Sequence, residues 1–172
     1  MKRFVLQVTA LTFLLLPQAY AAEGDTAKAA LEGKGITGTV TMTQTSSGII
    51  HIVVDAKGVP PGPHGIHIHE TGKCNAADGF ESAGGHLARG LQHGLHVEAG
   101  PHPGDLPNVH VQEDGVLQAE FFTRDFALGS DGEQRLADDD GSAIVLHAGP
   151  DDYKSQPSGK SGDRIACGVI NE

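Results

Sequence analysis

The chain is short of positive charge: 12 Lys and Arg stand against 22 Asp and Glu, a formal net charge of −10 over 172 residues. Such a surface repels phosphate backbones and anionic lipid, which excludes nucleic acid and acidic membranes as partners. No apolar run approaches the roughly 20 residues that span a bilayer. The single candidate, residues 4–16, ends at Pro17. Tryptophan is absent, tyrosine and cysteine occur twice each, windows of helical period are few, and no internal repeat is visible. These absences exclude repeat arrays and leave little aromatic material for a core. Against them stand ten histidines and 24 glycines.

The first stretch reads as a processing segment. Lys2 and Arg3 precede the apolar run, and Ala19-Tyr20-Ala21 supplies the small-residue cleavage site of a secretory signal peptide. Cleavage is expected after Ala21. No cysteine stands at that point, which excludes a lipid anchor, and loss of Lys2 and Arg3 takes the net charge from −10 to −12. Residues 22–34 read as a flexible polar leader, and residues 35–172 as one domain with a sizeable core. In an oxidising compartment Cys74 and Cys167 are expected to pair. Closing so long a loop stabilises by roughly 4 kcal/mol in the chain-entropy view. A free thiol pair or cysteine metal ligands are the competing readings.

From residue 35 onward, short alternating segments are separated by Gly, Pro, Asp and Asn. Candidate strands fall at 35–43, 48–56, 65–69, 108–112, 116–123, 143–147 and 164–170. Turn signals about every 8–12 residues point to an all-β sandwich or barrel. Two long connections, 70–106 and 148–163, lack strand periodicity. The first sets four histidines among glycines and has almost no apolar residues, so burial alone cannot order it; a bound metal would.

The organising stretch is Gly65-Ile66-His67-Ile68-His69. Successive side chains of a strand point to opposite faces, so the isoleucines go to the core and the two imidazoles to the other side, about 6.5 Å apart. Two histidines on a half-exposed strand are a weak signal by themselves. His86, His93, His102 with Asp105, and His147 supply further imidazoles and a carboxylate, donor types that suit copper and zinc. Their spacing suggests two sites.

These residues lie in five ordered motifs: His64-Gly65-Ile66-His67-Ile68-His69-Glu70; Ser82-Ala83-Gly84-Gly85-His86 with His93-Gly94-Leu95; His102-Pro103-Gly104-Asp105-Leu106-Pro107-Asn108; Leu146-His147; and Gly159-Lys160-Ser161-Gly162-Asp163-Arg164-Ile165-Ala166-Cys167-Gly168. In them the chain resembles the copper/zinc superoxide dismutases over essentially all of residues 35–170. The resemblance implies a Greek-key β-barrel or sandwich of about eight antiparallel strands with two long functional loops. It implies copper on His67, His69, His86 and His147, and zinc on His86, His93, His102 and Asp105, with His86 bridging. It further implies that Asp151 links a copper histidine to a zinc histidine and that Arg164 receives the anionic substrate.

The implied activity is disproportionation of superoxide to oxygen and hydrogen peroxide by Cu(II)/Cu(I) cycling. Its expected place is the periplasm, with the outside of the cell as second choice, and its expected partner is the superoxide anion. The chain is expected to have no membrane anchor and to be a monomer or a homodimer. His51 and His110 are expected as packing or surface residues, His64 as a hydrogen-bonding structural histidine, and His93 rather than His96 as the zinc ligand. The chain departs from the family in its shorter step from His86 to His93, which carries Leu87-Ala88-Arg89, and in Lys160 where asparagine is common. A secreted metal buffer on the same fold and a disulfide-stapled adhesion module are the alternative readings. The substrate arginine weighs against the first, and His102 with Asp105 against the second.

Overall fold

A computed structural model describes residues 24–129 and 134–172; the expected signal peptide lies outside them. Nine strands occur in chain order: β1 (Thr26–Gly33), β2 (Thr37–Gln44), β3 (Ile50–Lys57), β4 (Gly62–His64), β5 (Ile66–His69), β6 (Val109–Val111), β7 (Leu117–Thr123), β8 (Ala143–His147) and β9 (Arg164–Val169). Seven form one antiparallel sheet in the order β5-β8-β9-β1-β2-β3-β7, curled into a half-barrel, while β4 and β6 pair as a separate ribbon. The all-β expectation holds. Among the described residues no helix is long and apolar enough to cross a membrane.

Alternation builds the core. In β1 to β3, Leu31, Val40, Met42, Ile50, Ile52 and Val54 point inward while the intervening Thr, Lys, Glu and Asp side chains face outward. This is the pattern of an antiparallel sheet with one wet face. The ribbon contributes Val109 and Val111 to the same core.

The other flank is buried on both sides. Ile66, Ile68, Ile144 and Leu146 join the main core, while Ala143, Val145 and Cys167 lie under the first long loop with Phe80 and Ala83. His67 pairs with Val145 and His69 with Ala143 in the register, so both histidines share this second, covered face. Cys74 and Cys167 form the expected disulfide, tying the loop to β9.

The segment expected as a leader requires correction. Thr26 to Gly33 is β1, an interior strand paired along its length with β2 and at its end with β9. Its inward residues Ala27, Ala29 and Leu31 are too modest in strand propensity to announce it; neighbours on both sides impose the conformation. The domain therefore begins before residue 35. Truncating Leu31 to Ala, at a fully buried position, is expected to lower stability in urea unfolding by about 2–5 kcal/mol. A change below about 0.5 kcal/mol, typical of surface positions, would return this stretch to the role of a leader.

Candidate metal centre

Strand β5 sits at the sheet edge, and the loop that follows folds back along its free side. Ile68 N donates to Gly104 O and Leu87 N to Ile68 O. A Cβ on Gly104 would lie 2.3 Å from the Ile68 carbonyl oxygen, so only glycine permits this approach. The fold-back sets His86 beside His69 and Asp105 beside His67. His147 closes β8 on the face already occupied by His67.

Two nests result. In the first, one donor atom from each of His67, His69, His86 and His147 lies within 4.8 Å of the others, and all four residues are buried. His67 Nδ1 and the Nε2 atoms of His69, His86 and His147 have no hydrogen-bond partner. The opposite nitrogens are anchored: His67 Nε2 donates to Asp151 Oδ2 at 2.8 Å, His69 Nδ1 to Gly84 O at 3.1 Å and His147 Nδ1 to Gly162 O at 3.3 Å. Those bonds fix the tautomers and leave the free lone pairs turned inward, as a metal requires.

In the second nest, the Nδ1 atoms of His86, His93 and His102 stand 2.9, 3.0 and 3.2 Å from one oxygen, Asp105 Oδ1. Three ring donors would over-fill the lone pairs of one oxygen. His102 Nδ1 in fact makes no hydrogen bond despite its distance. As ligand-to-ligand edges the spacing is natural, because a tetrahedron with bonds of about 2.0 Å has edges of about 3.3 Å. The other carboxylate oxygen is held by the amides of Gly94 and His102. Four imidazoles in one nest and three with a carboxylate in the other fit copper and zinc respectively. His86 belongs to both, Nδ1 to the second and Nε2 to the first.

Asp151 joins the nests from behind. It accepts from His67 Nε2 on Oδ2 and from His93 Nε2 on Oδ1, at 2.8 and 3.0 Å. Its backbone is clasped by Asn108, whose Oδ1 accepts from Asp151 N and whose Nδ2 donates to Asp151 O. Gly159 packs so close that a Cβ would meet Asp151 Oδ1 at 1.9 Å, and its φ is +68°. Gln156 holds His93 by accepting from its N–H and donating to its carbonyl. No sequence signal marks Gln156, whereas Asn108 lies within the His102 motif and carried no assigned role.

Arg164 reaches the first nest through an irregularity of β9. Leu146 pairs with Ala166, but His147 pairs with Arg164, which leaves Ile165 as an extra residue. Strict alternation would put Ile165 on the histidine face and Arg164 in the core. The bulge reverses this: Ile165 packs against the core and Arg164 turns outward. Its guanidinium donates to Phe80 O at 2.7 Å and to Gly84 O at 2.8 Å, the second being the carbonyl that also holds His69.

The remaining histidines separate cleanly. His96 is exposed against the edge of Tyr153 and belongs to neither nest, whereas His93 does. His64 is buried and bonded to His147 O and Pro60 O. His51 stacks on Phe122 and pairs with Glu120, and His110 is exposed. Lys160 is exposed, with its charge bearing on Asp152. Arg89, in the shortened step, donates to the carbonyls of Asp125 and Arg135 and so ties this loop to the β7–β8 connection.

Comparison with known proteins agrees with this geometry. A family described as copper/zinc superoxide dismutase matches residues 36–170. The chain is 44% identical over 136 residues to a Cu-Zn superoxide dismutase of Caulobacter vibrioides, covering 77% of each. It is 42% identical over 141 residues to Cu-Zn superoxide dismutase 2 of Aquifex aeolicus, covering 81% of each. A solved superoxide dismutase-like protein of Bacillus subtilis superposes with a TM-score of 0.77 at 36% identity, over 86% of this chain and 99% of its own.

Burial governs the charge state of the first nest. Desolvation, aided by neighbouring imidazoles, pushes His67 down to about 4, His147 to about 3 and His69 to about 2. Burial alone would raise the Asp105 carboxyl, but bonds from His86, Gly94 and His102 hold it well below the usual carboxylate range. An imidazole with a folded value below its unfolded 6.5 binds fewer protons folded than unfolded. Its contribution is thus complete above pH 6.5 and is lost as pH falls toward the folded value. The metal-free protein is expected to lose stability between pH 6.5 and 5 with a slope that approaches about 1.4 kcal/mol per pH unit for each of the three rings toward pH 5, read by urea unfolding. Stability flat across that window would mean the rings are not held neutral by burial.

Proposed function

The chain belongs to the copper/zinc superoxide dismutase family, and on that premise we propose that it disproportionates superoxide outside the cytoplasm and protects against it there. Copper is held by His67, His69, His86 and His147, and zinc by His86, His93, His102 and Asp105. The observation that carries this is the buried ring of His86, which offers Nδ1 to one nest and Nε2 to the other. Only a ring deprotonated at both nitrogens serves two cations. Asp151 holds the rings of His67 and His93 in the matching tautomers.

When bound, copper would supply the one-electron chemistry by which two superoxide ions and two protons become one oxygen and one hydrogen peroxide, and zinc would supply fixed charge. Within the chain, His86 Nε2 would take up a proton in one half of the cycle, its lone pair then no longer shared with copper, and give the proton back in the other. Arg164 draws the anion inward against a protein whose net charge is −10. Residues 1–21 direct secretion, and the Cys74–Cys167 disulfide suits an oxidising compartment, the periplasm first and the exterior second. The catalytic domain runs from β1 to the C-terminal residues.

Stopped-flow superoxide decay tests the arginine. The Arg164→Ala variant is expected to lose about tenfold in kcat/KM, and the wild-type rate to fall as ionic strength rises. A variant as fast as wild type, with a flat salt response, would remove the steering role. Cobalt in place of zinc tests the bridge, since its visible spectrum should shift when copper is added and stay unchanged in His86→Ala. Replacing Asp151 by Asn removes the charge and turns one of its two acceptors into a donor, and zinc affinity by competition titration is expected to drop about 10- to 100-fold. An unchanged affinity would leave Asp151 without a role in the site.

A further inference from the structure

The two carbonyls that hold the Arg164 guanidinium, Phe80 O and Gly84 O, bracket a single 3₁₀ turn, Glu81–Ala83. The first residue of that turn is acidic. Glu81 Oε2 stands 3.4 Å from Arg164 Nη2, with its side chain 71% exposed against 14% for the arginine. It approaches the guanidinium from the solvent side. The contact is an ion pair without a hydrogen bond, so it holds no loop together. Among the described residues, no other carboxylate forms an ion pair with Arg164. A carboxylate here opposes the steering role, and the fold nonetheless places it there through the same turn that positions the guanidinium.

We propose that Glu81 sets anion specificity by competing for the outer edge of the Arg164 guanidinium. A guanidinium has five N–H donors in a planar fork and captures oxyanions such as phosphate through two of them at once. Backbone carbonyls already occupy one donor on each of Nη1 and Nη2, and the Glu81 carboxylate stands against Nη2. A diatomic monoanion needs one donor and displaces a weak, exposed pair easily. A tetrahedral oxyanion needs the fork and is held off. Glu81 thus lowers anion uptake somewhat and lowers the capture of competing oxyanions much more. This inference rests on Arg164 being the group that receives the anion, as proposed above.

Inorganic phosphate is the probe, used on the copper- and zinc-loaded full chain at constant ionic strength. Binding is read by ³¹P line broadening from the paramagnetic copper, and separately by inhibition of superoxide decay. Glu81→Gln is expected to tighten phosphate at least fivefold, with Glu81→Ala behaving alike. Glu113→Gln, which removes the same charge at an exposed turn, should match wild type. In an Arg164→Ala background, Glu81→Gln should have no effect. Unchanged phosphate affinity in Glu81→Gln, or an equal gain in Glu113→Gln, would overturn the inference. If wild type binds copper and phosphate yet fails to speed superoxide decay, the enzymatic reading falls, while the ³¹P comparison still decides the role of Glu81.

Discussion

One carboxylate, that of Asp151, accepts a ring N–H from His67 on one oxygen and from His93 on the other. The first histidine is fixed by a strand and the second rides on a loop, so this double contact decides where the loop must lie. Anchoring the far nitrogen of a buried ring settles which nitrogen carries the proton and which lone pair faces inward. The carbonyls of Gly84 and Gly162 do the same for His69 and His147. The inward nitrogens then remain without protein partners inside a buried site. Such atoms are costly in a protein core, and a cation is the natural partner for several of them at once.

The scaffold tolerates this because the two faces of its sheet are used differently. Apolar burial beneath β1 to β3 and behind β5 and β8 supplies stability that does not depend on the site. The loop over the histidines has few such contacts, chiefly Phe80, Ala83, Leu87 and Leu106. Its order comes from backbone bonds to β5, the disulfide to β9 and the clasps of Asn108 and Gln156. Metal binding and loop order are therefore coupled: whatever fills the nests also holds the loop.

Much of this was legible in the sequence, and the exceptions share physical causes. Strands with alternating Ile, Val and Thr were readable, and the His-x-His strand announced which face was polar. β1 was not, because Ala27 and Ala29 carry little strand signal and β2 and β9 dictate its form. The three-residue β4 was hidden by its prolines, since it exists only by pairing with β6. The ligand set came from ordered motifs and family likeness. Gln156 was beyond reach because it acts on the backbone of a residue 63 positions away, through geometry that only the folded loops create.

The extra residue in β9 gives the chain a counting rule. Three steps separate Arg164 from Cys167, an odd number, yet both side chains emerge on the same side of the sheet. A uniform strand would demand an even number. The disulfide and Arg164 are thus locked into one phase: dropping or adding a residue between them would bring one to its proper side only by turning the other away. The four residues from Arg164 to Cys167 cannot change in number, because their parity decides whether the positive charge looks toward the histidines or into the apolar core.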